Sequence, residues 1–319
     1  MQRIKKIVRS ILENNDLTKG IYPKLRYYYA KFQMDKDDYE YAKKYYYNKF
    51  GRVLNLDNPK TFDEKLWWLK FNYHNPLMTK CADKYLVREY VKECGLEHIL
   101  NELYAVYDSV DEIKNIENLP DKFYLKCNHV SGGNVACIDK NQFDLRAAKK
   151  KLNWYMHINQ YYITREWQYK DIKPKIICEK FLENSDKKPL VDYKFFCFNG
   201  VPKILLVCNG VAKTDGSHQD ENLSYENYCR TDLTPLNIID DSHELDYDKI
   251  YFPKNYSKML DYARILSKPF PFVRVDFYEI NGNIIFGELT FTCAGGCHNY
   301  KPAEFAEELG SYIDLSSIK

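Results

Sequence analysis

The sequence lacks several features that mark whole classes of protein. It has no apolar run of about 18 residues, so it predicts no membrane-spanning helix. Its first residues lack the apolar segment of a signal peptide, so we do not expect secretion by that route. The formal net charge is only +2, which gives no general reason to expect a nucleic-acid partner.

No Cys-x-x-Cys pair occurs, although the chain has ten cysteines. Several of them, such as Cys178 and Cys197, lie inside apolar strand-like runs, where a free thiol behaves as a small hydrophobic side chain. A reducing cytoplasm is the natural setting for such thiols. Cys293, Cys297 and His298 form the one cluster that resembles a soft-metal site, but a fourth ligand and a standard zinc spacing are missing. The sequence therefore favours buried free thiols over a zinc site.

The length of 319 residues suits one large domain or two modest ones. Residues 1–54 are basic and rich in tyrosine, and we predict that they form a helical N-terminal extension to a domain at 55–319. Residues 3–12 carry apolar side chains at helical spacing. This stripe either packs on its own domain or makes peripheral contact with an anionic membrane at its inner face, and the sequence leaves both interpretations open.

Strands and helices are mixed along the chain without strict βαβ alternation, which predicts an α+β fold. Thr61 and Glu64 form a capping box, which predicts a helix running through Phe71. Further helices are predicted at 83–94, 144–163, 256–266 and 303–310. Strands are predicted at 104–107, 123–127, 135–138, 176–181, 193–198 and 204–207. Residues 210–250 are polar and are predicted to form a long surface excursion.

Residues 271–296 are the most informative segment, because they predict a β-hairpin. Strands at 273–280 and 283–289 flank the dipeptide Asn281-Gly282. Asn-Gly between β-branched runs is a strong hairpin signal, since both positions tolerate a positive φ.

The hairpin places charged residues at matched positions on its two strands. Strand alternation puts Arg274 and Asp276 on one face, and puts Glu288 on the same face of its strand as Ile284. Two carboxylates on adjacent strands are suited to holding Mg²⁺ beside a nucleotide phosphate, and a neighbouring cation is suited to phosphate oxygens. The alternative is that Arg274 and Asp276 form an ordinary surface ion pair worth less than about 1 kcal/mol.

Other segments have weaker signals of the same kind. Lys126 ends an apolar strand, and the loop that follows contains Gly132 and Gly133, whose backbone N–H groups could close on phosphate oxygens. An ordinary Gly-rich hairpin explains this pattern about as well. Residues 176–183 form an apolar strand that runs into a charged edge suited to an adenine base, and residues 192–194 begin another strand with two charges on one face.

Taken together and in this order, these segments resemble the ATP-grasp superfamily. In particular they resemble its TupA-like branch, which is linked to teichuronopeptide and capsular polysaccharide biosynthesis. The matching segments are 58–65, 83–88, 125–133, 192–196, 274–278 and 287–292. No single segment is specific, but the set is.

The resemblance implies a fold of two α+β subdomains that grip ATP. It implies that Lys84 and Lys126 approach the ATP phosphates. The other residues that it implies for ATP binding are Ser131, Gly132 and Gly133 in a mobile phosphate-covering loop, Glu179, Lys180, Phe181 and Leu182 in the adenine hinge near 179–183, and Asp192.

The resemblance also implies a metal site and a catalytic pair. Asp276, Glu288 and Thr290 match the ligands of Mg²⁺, although the family usually has Asn where Thr290 stands. Arg274 matches the arginine that steadies the transferred phosphoryl group, and Lys194 lies where related ligases have a cation facing the reacting groups. The usual small-Pro-Gly end is replaced at 293–296, which weakens the match there.

The activity implied is that of an ATP-dependent carboxylate–amine ligase. ATP phosphorylates a carboxylate, and an amine then displaces phosphate to give an amide, with ADP and phosphate as products. The carboxylate would belong to a uronic acid or a related component of a bacterial surface polysaccharide, and the amine to an amino acid or an amino alcohol.

Two alternatives come from other classes of protein. A glycosyltransferase of capsule or cell-surface polysaccharide biosynthesis would need an Asp-x-Asp-type motif at a strand end. Neither Asp35-Lys36-Asp37 nor Asp215-Gly216-Ser217 has a convincing position of that kind. A non-catalytic scaffold is the other alternative, and the charged set at Lys126 and Arg274 argues against it.

Overall fold

The structure is a computed structural model that describes residues 21–33, 37–185, 190–209, 225–239 and 245–318. Within those residues it contains nine α-helices: α1 (Ile21–Phe32), α2 (Asp38–Phe50), α3 (Phe62–Asn72), α4 (Pro76–Ala82), α5 (Val87–Glu93), α6 (Leu145–Met156), α7 (Gln160–Thr164), α8 (Tyr256–Ser267) and α9 (Glu304–Ser311). Its strands are β1 (Leu103–Tyr107), β2 (Phe123–Cys127), β3 (Asn134–Cys137), β4 (Ile176–Lys180), β5 (Val191–Phe198), β6 (Val201–Asn209), β7 (Tyr225–Arg230), β8 (Phe272–Ile280) and β9 (Asn283–Thr290). Short 3₁₀ turns occur at Glu97–Ile99, Val110–Glu112, Lys140–Gln142, Trp167–Tyr169, Tyr247–Lys249, Cys293–Gly295 and Leu315–Ser317.

The strands form two separate antiparallel sheets. The first has the order β1-β4-β2-β3, and the second has the order β7-β6-β5-β8-β9. Hairpins and crossovers between antiparallel neighbours, with helices between them, define an α+β fold. The predicted fold class is therefore confirmed.

Local signals in the sequence explain how several elements begin and turn. The side chain of Thr61 accepts a hydrogen bond from the backbone N–H of Glu64, and Glu64 Oε2 accepts one from the N–H of Thr61, so the capping box forms and α3 follows it. Asn281 and Gly282 have φ values of 51° and 78°, as a two-residue hairpin turn requires. The predicted hairpin is therefore present.

Apolar packing covers most of the second sheet on both faces. Val273, Val275 and Phe277 of β8 are fully buried in a cluster that also contains residues of α4, α5 and α8. On the opposite face, Phe272 and Phe196 pack against apolar residues of α3 and α9. The charged residues of this second face therefore lie beside the apolar packing, on a part of the sheet where charged side chains replace apolar ones.

The prediction that Glu288 and Ile284 share a face is wrong. The β8–β9 register shifts after Asp276, which pairs with Glu288, while Phe277 pairs with Phe286. This β-bulge leaves Gly287 unpaired, so Ile284 joins the apolar core while Glu288 faces the opposite way. A Cβ on Gly287 would lie 3.0 Å from the backbone oxygen of Asp276, so glycine suits the close approach of the two strands.

Three helical or loop predictions also need correction. Asp83 caps the end of α4, which the sequence did not predict, and the next helix begins only at Val87. The predicted helix at 144–163 is broken into α6 and α7, because Asn159 caps a new helix with a side-chain hydrogen bond to the N–H of Tyr161. The predicted surface excursion at 210–250 contains strand β7, while 210–224 and 240–244 lie outside the described residues.

The described part of the N-terminal extension packs on the rest of the chain. Tyr46 of α2 is fully buried and donates a hydrogen bond to Asp63, which also accepts one from Arg52 at 3.0 Å. Tyr27 of α1 lies in the core of the first sheet. The boundary between 54 and 55 stays a prediction, and the apolar stripe at 3–12 lies outside the described residues.

The structure shows the state of the cysteines and the length of the described helices. All ten cysteines are free, and all but Cys94 are buried. In the described part of the chain, no group of three or more His, Cys, Asp or Glu side chains could hold a metal ion, so Cys293, Cys297 and His298 form no such site. None of the described helices is long and apolar enough to span a membrane.

Candidate active site

One face of the second sheet carries a row of charged side chains across three strands. Lys194 of β5 pairs with Asp276 of β8, which in turn pairs with Glu288 of β9. In the neighbouring row, Arg274 pairs with Thr290. Directly paired residues of an antiparallel sheet lie on the same face, so the structure brings all five together.

Arg274 is the centre of this cluster. Its Nε lies 2.7 Å from Asp276 Oδ1, and its Nη2 lies 2.6 Å from Asp276 Oδ2, which makes a bidentate pair. The same Nη2 lies 3.0 Å from Glu288 Oε1 and 3.1 Å from Thr290 Oγ1. The three side chains predicted as metal ligands therefore converge on one guanidinium nitrogen.

Exposure divides the two carboxylates into different roles. The Asp276 side chain is 3% exposed and is held by Arg274 and, at 3.4 Å, by Lys194. The Glu288 side chain is 48% exposed. Burial alone would raise the pKa of Glu288, but the charges of Arg274, Lys84 and Lys194 outweigh burial and lower this pKa to about 2. Glu288 is therefore an accessible anion, whereas Asp276 is an internal partner of two cations.

Asp192 extends the cluster along β5. It pairs with Tyr278, with which it also shares a side-chain hydrogen bond, and one of its carboxylate oxygens lies 3.8 Å from Lys194 Nζ. Burial raises the pKa of Asp192, and the charge of Lys194 opposes that change. Burial alone would lower the pKa of Lys194, but Asp192 and Asp276 outweigh it and raise this pKa. The ammonium of Lys194 is therefore held in its charged form between two carboxylates.

The first sheet contributes a second charged group. Lys126 Nζ lies 2.9 Å from Glu179 Oε2, and Arg88 lies 3.4 Å from the other oxygen of Glu179. The Glu179 side chain is 9% exposed and that of Lys126 is 28% exposed. The ion pair with Glu179 therefore fixes the position of Lys126 at the surface of the first sheet.

Lys84 joins this second group through the loop after β2. Its N–H donates to the backbone oxygen of Asn128 at 3.0 Å, and its Nζ donates to the oxygen of Val130 at 2.8 Å. Burial lowers the pKa of Lys84, while the charge of Glu288 opposes that change and Lys126 adds to it. The charge of Glu288 acts to raise the pKa of both Lys84 and Lys126, so its carboxylate lies within electrostatic range of these two lysines.

The glycine loop has an exposed tip and a packed base. Ser131 and Gly132 are exposed, and Gly132 has a φ of 88°. Gly133 is buried, and a Cβ there would lie 2.9 Å from the Cβ of Cys127 and 3.0 Å from that of Tyr155. Only glycine fits at the base, whereas the tip presents backbone to solvent beside Lys84.

The predicted adenine segment lies at the end of β4. The backbone N–H of Lys180 donates to Glu102 and its oxygen accepts from Asn101, both at 2.9 Å, so this residue is fixed to the segment before β1. The ring of Phe181 stacks near that of Tyr124, with centroids 6.4 Å apart. Leu182 follows the strand and is half-buried. The segment therefore borders the face that carries Lys126.

A further buried polar group was missed by sequence reasoning. Lys70 of α3 donates hydrogen bonds to the backbone oxygens of Gly295 at 2.6 Å and Thr164 at 2.9 Å. Burial lowers the pKa of Lys70 and raises the pKa of the nearby Glu166. The partners of Lys70 are 94 and 225 residues away in sequence, so a local pattern could not have found them.

The donor set suits Mg²⁺ only in part. Carboxylate and hydroxyl oxygens are the hard ligands that Mg²⁺ prefers, and Mg²⁺ commonly takes only one or two carboxylates, with waters and phosphates completing its shell. Glu288 fits this requirement because it is exposed. Asp276 and Thr290 fit less well, because the guanidinium of Arg274 already occupies the point that they share with Glu288.

Comparison with known protein families identifies the class to which these two sheets belong. The chain is an ATP-grasp protein. More narrowly, it belongs to the TupA-like ATP-grasp family, whose model matches residues 64–314. This confirms the family and the fold that the sequence predicted. The match gives no support to the glycosyltransferase alternative, whose acidic motifs lie mostly outside the described residues.

Comparison with solved structures finds distant similarity to ligases. The chain resembles a D-alanine–D-alanine ligase from Bacillus anthracis with a TM-score of 0.40 and 13% identity, covering 73% of this chain and 65% of that one. It resembles an L-amino acid ligase from Bacillus licheniformis with a TM-score of 0.44 and 12% identity, covering 80% of this chain and 55% of that one. The chain thus spans less than two thirds of the length of both. A comparison with curated proteins found no match.

Proposed function

We propose that the protein is an ATP-dependent carboxylate–amine ligase that forms an amide through an acyl-phosphate. The observation that carries this proposal is the cluster of Arg274, Asp276 and Glu288 on the second sheet, within electrostatic range of Lys84 and Lys126, in a protein of the TupA-like ATP-grasp family. Phosphoryl transfer needs cations arranged around the phosphates, and these two lysines and Arg274 would supply them.

The nucleotide would lie between the two sheets. Lys126 and Lys84 would bind its phosphate oxygens, and the exposed N–H groups of Ser131 and Gly132 would cover them. The base would lie against the segment 179–182, with Phe181 and Leu182 as apolar contacts. Asp192 would border the same space from the second sheet.

Glu288 would be the principal protein ligand of Mg²⁺, and Asp276 and Thr290 are the further ligands that the family resemblance implies. When bound, the ion neutralises phosphate charge and polarises the transferred group. The guanidinium of Arg274 would share this task, since it already contacts all three side chains. Arg274 and Lys194 would stabilise the charge that develops on the transferred phosphoryl group and on the acyl-phosphate.

We also propose the chemical classes of the two substrates. The carboxylate would belong to a uronic acid or related component of a bacterial surface polysaccharide, and the amine to an amino acid or amino alcohol. This assignment rests on the resemblance of the whole set of matching segments to the TupA-like branch. A cytoplasmic location is supported by the ten free cysteines, because such thiols persist in a reducing compartment.

Two measurements test the ligase proposal. Isothermal titration calorimetry with ATP and Mg²⁺ should show binding by the intact protein. ADP release should then require both a carboxylate and an amine, and it should stay at background when either is omitted. ADP release that is independent of the amine, or the absence of ATP binding, would contradict the proposed reaction.

A further inference from the structure

Helix α1 has two apolar faces, and the rest of the chain covers one of them. On the covered face, Tyr27 and Ala30 are buried. The ring of Tyr27 packs against the rings of Trp154 and Tyr162, with centroids 6.2 Å and 6.3 Å apart. Its hydroxyl accepts a hydrogen bond from the backbone N–H of Asn159 at 3.4 Å. These contacts fix α1 on helices α6 and α7.

The other face of α1 carries an exposed apolar stripe. Its four side chains recur at the spacing of one helix face, and each is between 58% and 70% exposed: Leu25, Tyr28, Tyr29 and Phe32. Soluble proteins rarely expose contiguous apolar patches, and where they do, the patch commonly marks a surface that meets a partner or a membrane. Because the covered face holds α1 in place, the stripe is presented on a fixed element.

The charge of this end of the chain favours an anionic partner. Residues 1–33 contain eight Lys or Arg and two Asp or Glu, a formal net charge of +6, whereas the whole chain has only +2. The remaining residues therefore carry a net charge of −4. This separation of charge would turn the N-terminal end of the protein towards an anionic surface.

The cations close to the stripe are not neutralised by carboxylates. The ammonium groups of Lys24 and Lys31 lie over the rings of Trp154 and Tyr162, at 4.9 Å and 5.6 Å. Helix α6, which packs on α1 through Trp154, has no acidic residue and four basic ones, Arg146, Lys149, Lys150 and Lys151. Within the described part of the chain, none of these six cations forms an ion pair. Their charge is therefore left for a partner to compensate.

An aromatic stripe surrounded by lysines suits the interface of a lipid bilayer. Tyr and Phe rings insert at the level of the headgroups, and Lys side chains follow apolar surface while their ammonium groups reach anionic headgroups. A helix that lies on a membrane commonly leaves its opposite face in water. Here that face packs on the domain, so binding through the stripe would attach the whole protein.

We propose that the exposed face of α1 docks the protein on an anionic lipid membrane, with the four side chains of the stripe entering the interface and the nearby cations meeting the headgroups. The proposal goes beyond the ligase function and does not depend on it, because no residue of the candidate active site takes part.

The test is co-sedimentation of the intact protein with sucrose-loaded vesicles. The vesicles consist either of phosphatidylcholine alone or of equal parts of phosphatidylcholine and phosphatidylglycerol. The protein should bind the anionic vesicles at least about tenfold more tightly than the neutral ones. This preference should shrink as the salt concentration rises, because salt screens the attraction between exposed charges.

Tyr29→Gln tests the stripe, and Tyr47→Gln is the matched control. Tyr29 is 60% exposed and Tyr47, on α2, is 57% exposed, so both variants replace an equally exposed helical tyrosine. Glutamine is a good helix former, so thermal unfolding should stay unchanged in both. Tyr29→Gln should weaken binding to the anionic vesicles about tenfold, because its ring no longer enters the interface, and Tyr47→Gln should bind as the wild type does.

Three results would overturn the inference. The first is equal binding to neutral and anionic vesicles, or binding to neither. The second is unchanged vesicle binding by Tyr29→Gln, or equal losses in both variants, which would place the docking surface elsewhere. The third is a concentration-dependent dimer in size-exclusion chromatography that Tyr29→Gln dissociates, which would make the stripe an interface between two copies of the chain. Loss of ADP release with normal vesicle binding would count against the ligase proposal alone.

Discussion

Replacing Arg274 with lysine tests whether the guanidinium acts in catalysis. Arg274 donates four hydrogen bonds to oxygen atoms, two to Asp276 and one each to Glu288 and Thr290. A lysine ammonium keeps the charge but donates at most three hydrogen bonds and cannot form the bidentate pair. The variant therefore loses at least one charge-assisted hydrogen bond while the charge balance of the cluster is kept.

The expected magnitude follows from that single loss. A hydrogen bond to a charged group contributes about 1.5–3 kcal/mol, and each 1.36 kcal/mol corresponds to about tenfold in rate. We expect Arg274→Lys to lower kcat by roughly a hundredfold, with a smaller change in the KM for ATP, because the contact is strongest when charge develops on the transferred phosphoryl group.

The assay is steady-state ADP release with a carboxylate and an amine that support turnover. Arg264→Lys is the control, because Arg264 forms an exposed ion pair with Asp261 on α8 and the same substitution there should leave kcat unchanged. If Arg274→Lys raised only the KM for ATP, the arginine would act in ground-state binding, and the argument from the developing charge would be refuted.

Three further variants test the lysines and the exposed carboxylate. Lys126→Ala should weaken ATP binding by about 1–3 kcal/mol. Lys122→Ala is the control, because Lys122 forms an exposed ion pair just before β2, and it should leave ATP binding unchanged. If calorimetry gave the Lys126 variant the same ATP affinity as the wild type, Lys126 would not belong to the site. Glu288→Gln should abolish ADP release and leave thermal unfolding unchanged, because the substitution removes the charge of a half-exposed side chain and hardly changes its volume. If this variant kept wild-type activity at limiting Mg²⁺, Glu288 would have no role in metal binding. Lys70→Met should make the protein less responsive to alkaline pH. Burial lowers the folded pKa of Lys70 below its unfolded value, so the unfolded chain binds this proton more tightly and wild-type stability rises with pH between the folded and the unfolded pKa. In denaturant titrations the free energy of unfolding of the variant should lack this rise, and an equal pH dependence in the two proteins would count against the assignment.

Features with local causes could be predicted from the sequence. The turn at Asn281-Gly282 needs only two residues that tolerate a positive φ, and the capping box needs only Thr61 and Glu64. The strand of Arg274 and Asp276 was found because β-branched and aromatic residues alternate there with charged ones. In each case the residues that determine the structure are neighbours in the chain.

Features that depend on distant contacts could not be predicted in this way. Strand β7 lies in a polar stretch and forms because it pairs with β6. Lys70 lies in the helix that the capping box predicts, and only the fold brings its ammonium to the backbone oxygen of Gly295. Arg165 had no sequence signal at all, since its partner Asp38 is 127 residues away. Side chains that the fold brings together from distant parts of the chain were therefore beyond the reach of local patterns.

The bulge at Gly287 determines where a related protein could lose one residue from this hairpin. Because Gly287 is the extra residue, deleting it would leave Phe286 and Leu289 on the core side and Glu288 on the opposite side. Deleting Ile285 instead would place Phe286 opposite Tyr278 and Gly287 opposite Phe277, so the ring of Phe286 would leave the core side. Loss of one residue from this hairpin should therefore be tolerated at Gly287, whereas the same loss at Ile285 should disrupt the core.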